Sequence, residues 1–484
     1  MIGITAYGGY VPRLRLSLQA IGQANAWYAP QFASRKGTLA FGNWDEDSIT
    51  MAVAAGRDCL GPDDDRSRVR GVLLASSTLP FAERLNAAVV AGALTLDENI
   101  QACDLGGTPR CALAALSQAA AMAQMDEGEV LVAAAESRRT RPGSAQELQY
   151  ADGAAAMLVG TEGVLAEYLG SGVVTADFVD HFRAVGEDVD YHWEERWVRD
   201  EGIAKLVPPA IAAALNRAGV AAGQVDHFIF PTSFRQMGAS LARHCGIAPE
   251  AVADNLLAAV GDTGGAHGLL VLAHVLERAT PGQIILLAQF GSGAQAIVLR
   301  VTEAIRDFRP QRGVSRWIAR GAEDHSYTRF LSFKGQLALE RGMRGEQDKK
   351  TALSTAWRHR TALQGLVAGR CEVTGSVHFP PSRLSYDNPP RQDTQRPYKL
   401  ADRPAQILSW SAEYLSWHPS PPHHYGQIDF EGGGRILMDF TDLDVGEVAT
   451  GQAMDMVFRI KDIDDLRGFR RYFWKATPAR DGQA

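Results

Sequence analysis

The 484-residue chain lacks the material for several classes of function. Its five cysteines, Cys59, Cys103, Cys111, Cys245 and Cys371, are odd in number and scattered. That excludes a disulfide framework and favours reduced thiols. No Cys-x-x-Cys pair occurs, so no metal site is expected. No window approaches the ~18 apolar residues that cross a bilayer. The start, Met1-Ile-Gly-Ile-Thr-Ala-Tyr7, has neither the basic residues nor the long apolar run of a signal peptide. A cytoplasmic protein with no membrane partner is expected. Positive charge is not in excess either: the net charge is −7, which gives no support to nucleic-acid binding.

What is present is ordinary for a globular protein, with 46% hydrophobic and 22% charged residues. The length implies two or three domains. Over residues 1–165, strand and helix patterns alternate. Ser48–Leu60 reads as a helix, Val69–Ser76 as a buried strand, Asn86–Leu94 as a helix and Ile100–Asp104 as a strand. Cys111–Met125 reads as a long buried helix, and Glu129–Ala135 and Asp152–Val159 as strands. Residues 166–305 repeat the order, with helices over Gly202–Ala218, Met237–Cys245 and Gly264–Ala279. Strands follow at Asp226–Phe230 and Gln283–Gln289, then a return after Gly291-Ser-Gly. This matching order suggests an internal duplication. Residues 306–365 are rich in Arg, Lys and Glu and read as a helical connecting arm. Residues 366–484 carry short strands between Pro/Gly/Asn turns, the pattern of a small barrel.

The stretch Cys103-Asp-Leu-Gly-Gly-Thr-Pro-Arg-Cys111 joins a strand to a helix through a tight turn. Free backbone N–H groups and the helix dipole converge at such a turn, where an enzyme can place a nucleophile or an anion. Cys111 is either a nucleophile there or a small buried helix residue. Cys103 reads as core.

Four ordered segments resemble the thiolase superfamily, in the branch of hydroxymethylglutaryl-CoA synthase and ketoacyl synthase III. They are the turn from Asp104 to Leu116, Tyr150-Ala-Asp-Gly-Ala-Ala-Ala, Val260-Gly-Asp-Thr-Gly-Gly-Ala-His-Gly, and Pro281 through Gly291-Ser-Gly-Ala294. Gly369-Arg-Cys-Glu-Val-Thr-Gly and Tyr472-Phe-Trp-Lys are similar to small acyl-CoA-associated modules that pair a zinc ribbon with an OB-type barrel. The fold class implied is α/β: a duplicated, thiolase-like five-layer αβαβα fold plus a C-terminal OB-like barrel. The segment that opens residues 366–484 would be a degenerate, rubredoxin-like ribbon without metal, because Thr374 stands where a second cysteine belongs.

The resemblance also implies Claisen or retro-Claisen chemistry on an acyl-CoA and a small β-keto substrate, in a homodimer or higher homo-oligomer. Coenzyme A would enter as substrate. Ungapped alignment puts Pro109 at the family's nucleophile and Pro231 or Thr232 at its histidine. Asp262 falls at its asparagine and Ser77 near the glutamate of the hydroxymethylglutaryl branch. The catalytic set expected here is therefore His267, Asp262 and Cys111, with Asp262 orienting His267 or capping the next helix. Ser77, Gly106, Gly107, Thr232, Ser233, Gly265, Gly291 and Ser292 are expected to bind substrate. Residues 177–199, where aromatic and charged residues alternate, read as an amphipathic surface helix or as a cover for the substrate entrance. A non-catalytic scaffold or acyl-CoA-binding partner is the rival expectation.

Overall fold

A computed structural model of the chain describes residues 1–125, 128–345, 352–387, 389–444 and 446–480. Contacts divide it into two compact units. The first comprises residues 1–42, 47–88 and 97–330, and the second residues 43–46, 89–96 and 331–484.

The first unit is built on a mixed sheet that, among the described residues, has nine strands. In spatial order they are His227–Ile229, Ile284–Phe290, Gly293–Val301, Ala166–Thr175, Gly3–Tyr10, Gly153–Gly160, Glu129–Glu136, Val69–Ala75 and Gln101–Leu105. The strands predicted from apolar runs all form, because runs such as Val130–Ala135 and Ile285–Ala288 are buried on both faces. Both halves wind alike. Gly3–Tyr10 pairs antiparallel with Gly153–Gly160, which is antiparallel to Glu129–Glu136, itself parallel to Val69–Ala75. Ala166–Thr175, Gly293–Val301, Ile284–Phe290 and His227–Ile229 repeat that sequence of directions.

Ala166–Thr175 is a strand that sequence pattern did not single out. Its Gly172 explains both the weak signal and the packing. A Cβ there would lie 2.0 Å from the carbonyl oxygen of Ala210, so the helix Ala204–Ala218 seats its backbone directly on the strand. The helices Cys111–Met125 and His267–Leu276 share one apolar core with strands from both halves. The helix Ala204–Ala218 belongs to a second core. The helix Ser48–Leu60 is capped by Asp47: the Asp47 carboxylate accepts the Thr50 N–H, and the Thr50 hydroxyl accepts the Asp47 N–H. Among the described residues no helix is long and apolar enough to cross a membrane.

In the second unit, Arg435–Asp439, His423–Phe430, Ala405–Glu413, Ala453–Asp464 and Phe469–Pro478 form an antiparallel sheet in that order. The closed barrel expected here is not formed by a continuous ladder. Among the described residues, the two ends of the sheet meet at an isolated bridge between Phe440 and Ala476. At the ribbon-like segment the Cys371 thiol lies 3.2 Å from the Thr394 hydroxyl. Thr374 donates to Asp387 at 2.8 Å, and Ser376 reaches His378 at 3.1 Å. Hydroxyls and a carboxylate cross-link the knuckle.

Candidate active site

The turn after the strand Gln101–Leu105 is shaped by close backbone approach. A Cβ on Gly106 would lie 2.8 Å from the Ser76 carbonyl oxygen, and Gly107 has φ of +82°. Two side chains brace it against the second half. Arg110 donates from Nε to the Gly291 carbonyl at 2.9 Å, and Gln289 donates to the Pro109 carbonyl at 2.8 Å. A Cβ on Gly291 would lie 2.7 Å from Thr108 Oγ1. Gly106, Gly107 and Gly291 are thus brought together, with Ser292 beside them at φ of +45°.

Cys103, expected in the core, is exposed on its edge strand, whereas Cys111 opens the helix and is 2% exposed. Burial, then the nearby Glu136 charge, pushes its thiol far above the ordinary range, so it holds its proton. Gly265 faces it: a Cβ there would lie 2.8 Å from Glu136 Oε1 and 3.2 Å from Cys111 Sγ. Glu136 is fully buried at the end of its strand. Its carboxyl accepts the Ser77 N–H at 2.8 Å, the Ser77 hydroxyl at 3.0 Å and the Thr78 hydroxyl at 2.9 Å. Burial raises its pKa, and those three bonds with Arg138 oppose the rise. Ser77, Gly265 and Cys111 therefore converge on a carboxyl that sequence reading missed. The available signal was an acidic residue closing an all-apolar run, Val130–Ala135, at the carboxyl end of a strand, where ligand sites of α/β sheets lie.

His267 is 1% exposed, and both ring nitrogens are engaged. Nε2 donates to the Asn255 carbonyl at 2.7 Å, and Nδ1 accepts from the Thr263 N–H at 3.2 Å and its hydroxyl at 3.0 Å. Burial lowers its pKa, so the ring is neutral. Asp262 directs its carboxylate elsewhere, to Arg138 at 3.1 Å and to the Gly264 N–H at 2.8 Å. Desolvation works against the Asp262 charge, but Arg138, helped by the Gly264 N–H, outweighs it and holds the pKa below its ordinary value. The Arg138 guanidinium also lies 3.4 Å from the centre of the Tyr150 ring. Thr232 joins this side through its carbonyl, which accepts from Asn255 at 3.3 Å, while Ser233 is exposed in the same loop.

Of residues 177–199, expected as a helix, only the part from Glu195 onward is helical, and residues 177–193 form an extended hairpin. His181–Phe182 pairs antiparallel with Tyr191–His192. No apolar period marks it, and side-chain bonds hold it instead. Arg183 donates to Asp190 at 2.8 Å and to the Ser77 carbonyl. Tyr150 Oη lies 2.8 Å from His192 Nε2 and donates to Asp190 at 3.3 Å. Among the described residues no group of three or more His, Cys, Asp and Glu is arranged to hold a metal.

A mixed sheet whose two halves wind alike, with the candidate site at the carboxyl ends of the first-half strands, is a thiolase-like α/β fold. The chain is similar in sequence to hydroxymethylglutaryl-CoA synthases and shares its fold with them and with ketoacyl synthases III. Residues 215–301 match the family described as 3-oxoacyl-[acyl-carrier-protein] synthase III C terminal. The hydroxymethylglutaryl-CoA synthase of Aeropyrum pernix is 28% identical over 346 residues, covering 70% of this chain and 96% of the relative. That of Methanothermobacter thermautotrophicus is 28% identical over 350 residues, covering 70% and 100%. Among solved structures, MvaS in complex with 3-hydroxy-3-methylglutaryl coenzyme A shares 19% identity at a TM-score of 0.57, covering 69% of this chain and 91% of that one. The 3-oxoacyl-(acyl carrier protein) synthase III of Pseudomonas aeruginosa shares 22% at 0.54, covering 62% and 98%.

Proposed function

We propose that the chain is an acyl-CoA-dependent enzyme that forms or cleaves a carbon–carbon bond, in a Claisen or retro-Claisen reaction on a β-keto acyl or β-keto acid substrate. It does so without a cysteinyl acyl-enzyme. Relatives named hydroxymethylglutaryl-CoA synthase, and a neighbour solved with a coenzyme A thioester, support the substrate class. The observation that carries the reading is the meeting of Cys111 Sγ and Glu136 Oε1 at Gly265, beside a turn that opens a helix. Backbone N–H groups of that turn would polarise a thioester carbonyl. A thiol buried beside a carboxyl stays protonated and is a poor nucleophile, which favours direct transfer. In this reading Ser77, Gly106, Gly107, Gly265, Gly291 and Ser292 surround the reacting atoms, with Thr232 and Ser233 further out. Asp262, through Arg138, and His267, through Asn255 and Thr263, hold the glycine-rich loop in place. The protein would act as a cytoplasmic homodimer, which sedimentation of the purified chain checks.

Incubation with acetyl-CoA and acetoacetyl-CoA tests the reaction. The expected result is turnover of the β-keto thioester with no mass added to the protein, retained in Cys111→Ala. An acyl group mapped to Cys111 would replace the direct-transfer version with a covalent one. The satisfied ring of His267 and the burial of Cys111 favour one rival, a non-catalytic acyl-CoA-binding scaffold. Binding of coenzyme A without turnover of any thioester would select it.

A further inference from the structure

Tyr150, half-buried, is where the hairpin of residues 177–193 meets the bed of the site. Its hydroxyl lies 2.8 Å from His192 Nε2 and 3.3 Å from Asp190 Oδ2, and its ring lies under the Arg138 guanidinium at 3.4 Å. Contacts from there run round the whole site. Asp190 takes Arg183, and Arg183 takes the Ser77 carbonyl. Ser77 is bonded to Glu136, and Glu136 meets Cys111 across Gly265. On the other side, Arg138 takes Asp262, and Asp262 takes the N–H of Gly264, the neighbour of Gly265. His192 is backed by His181, whose ring stacks on it at 5.3 Å and 13°, and His181 is bonded to Asp180 at 2.8 Å.

Within this ring of contacts, Tyr150 and His192 form a proton donor–acceptor pair at hydrogen-bond distance. His267, by contrast, has both nitrogens committed within its own loop. A Claisen-type reaction needs a proton removed from, or returned to, the carbon beside the thioester. We propose that Tyr150 makes that transfer and that His192, carried in by the hairpin, relays it; this rests on the Claisen-type reading given above. In the forward step the substrate Cα–H bond breaks and its electron pair moves into the carbonyl to give the enolate. The proton bonds to Tyr150 Oη as the phenol's own proton passes to His192 Nε2. The resulting imidazolium is balanced by the Asp190 and Asp180 carboxylates, which work against His181 and Arg138. The reverse step returns both protons. Burial and the neighbouring His181 hold the His192 pKa below its ordinary value, so the ring starts neutral and able to accept. Burial raises the Tyr150 pKa, so the phenol starts protonated.

The test is exchange of the α-protons of acetyl-CoA in deuterated water, followed by NMR, together with turnover of acetoacetyl-CoA. The proteins compared are wild type, Tyr150→Phe, His192→Gln and their double variant, with Tyr168→Phe as a tyrosine control whose hydroxyl bonds Ser117. Each single variant is expected to slow exchange by about 10²- to 10⁴-fold while coenzyme A affinity and thermal unfolding stay near wild type. The double variant is expected to be no slower than the worse single, because the two side chains act as one unit. Exchange at the wild-type rate in folded Tyr150→Phe overturns the assignment, and so does a multiplicative loss in the double variant. If Tyr150→Phe does not fold, His192→Gln alone decides, since it keeps the phenol and removes its acceptor. A wild-type protein that neither exchanges nor turns over any thioester defeats the Claisen-type reading itself. One that turns over substrate undisturbed by both single variants defeats only the relay.

Discussion

Gly265 is the residue on which the first unit's chemistry is most tightly drawn. A methyl group there has no room, being 2.8 Å from a buried carboxyl oxygen and 3.2 Å from a buried sulfur. Gly265→Ala is expected to cost about 1–3 kcal/mol through overpacking and to lower turnover. Gly223→Ala, with nothing within 4 Å, should stay within about 0.5 kcal/mol of wild type. Calorimetry on both variants checks the contrast. Asp262 supports a prediction of opposite character. Its pKa is depressed, chiefly by Arg138, so its pairing stabilises the fold fully above the unfolded carboxylate value, near 3.8. That stability is lost as pH falls from there through the folded value. Asp262→Asn should flatten this acid limb. It should also destabilise the protein at neutral pH by about 3–5 kcal/mol, because it leaves the Arg138 guanidinium buried without its carboxylate. Denaturant titrations from pH 6 to pH 3 separate the two effects. Of these residues, Gly265 and Asp262 stand out in the sequence as members of a glycine-rich loop. Arg138 does not, since nothing local marks an arginine that is paired 124 positions away.

At the scale of elements, what was legible and what was not divides along a physical line. Helix Cys111–Met125 and the buried strands declare themselves because burial demands long apolar runs, and those runs are local. The hairpin at residues 177–193 has no such run. Its conformation comes from Arg183, Asp190, His192 and Tyr150, partners brought together only by the tertiary fold, so its alternating aromatics and charges could pass for a surface helix. The strand Ala166–Thr175 was hidden for another reason, because Gly170 and Gly172 are dictated by a helix packed on it. The hairpin should therefore be only as ordered as its charged bonds. Arg183→Leu removes the bonds to Asp190 and Ser77, and charge-assisted bonds contribute about 1.5–3 kcal/mol each. Amide exchange over residues 177–193 is expected to quicken by about 10- to 100-fold, with the helix Cys111–Met125 unchanged. Hydrogen-exchange mass spectrometry would contradict this account if protection were uniform in the variant.

Over the whole molecule, both units bury apolar side chains, and the second adds a dense network of buried charges. The first has large continuous apolar cores spanning residues far apart in the chain. The second carries a buried charge network built on residues 43–46, a short segment from early in the chain that clusters with it. Lys475 is 1% exposed, bonds Asp45 at 2.9 Å and lies 4.0 Å from the centre of the Trp44 ring. Arg459, 3% exposed, is paired with both Glu46 and Asp442. Such pairs carry a desolvation cost close to their Coulombic gain, so breaking one is far worse than replacing it whole. Lys475→Met leaves the Asp45 carboxylate buried and unpaired, and is expected to destabilise the second unit by about 3–5 kcal/mol. Asp45→Leu combined with Lys475→Met removes both charges and should recover most of that loss. Beside them, burial holds the His418 pKa down at about 4. A histidine that resists protonation when folded but accepts a proton near pH 6.5 when unfolded favours unfolding progressively as pH falls from 6.5 to 4. Amide exchange in the strands Ala453–Asp464 and Phe469–Pro478, taken relative to the intrinsic rate at each pH, should report both effects: faster exchange in Lys475→Met, near wild type in the double variant, and a relative rise between pH 6.5 and 4 that His418→Phe lessens. Faster exchange in the double variant than in Lys475→Met would mean that the ion pair specifies the fold of this unit and is not an exchangeable filler of its interior.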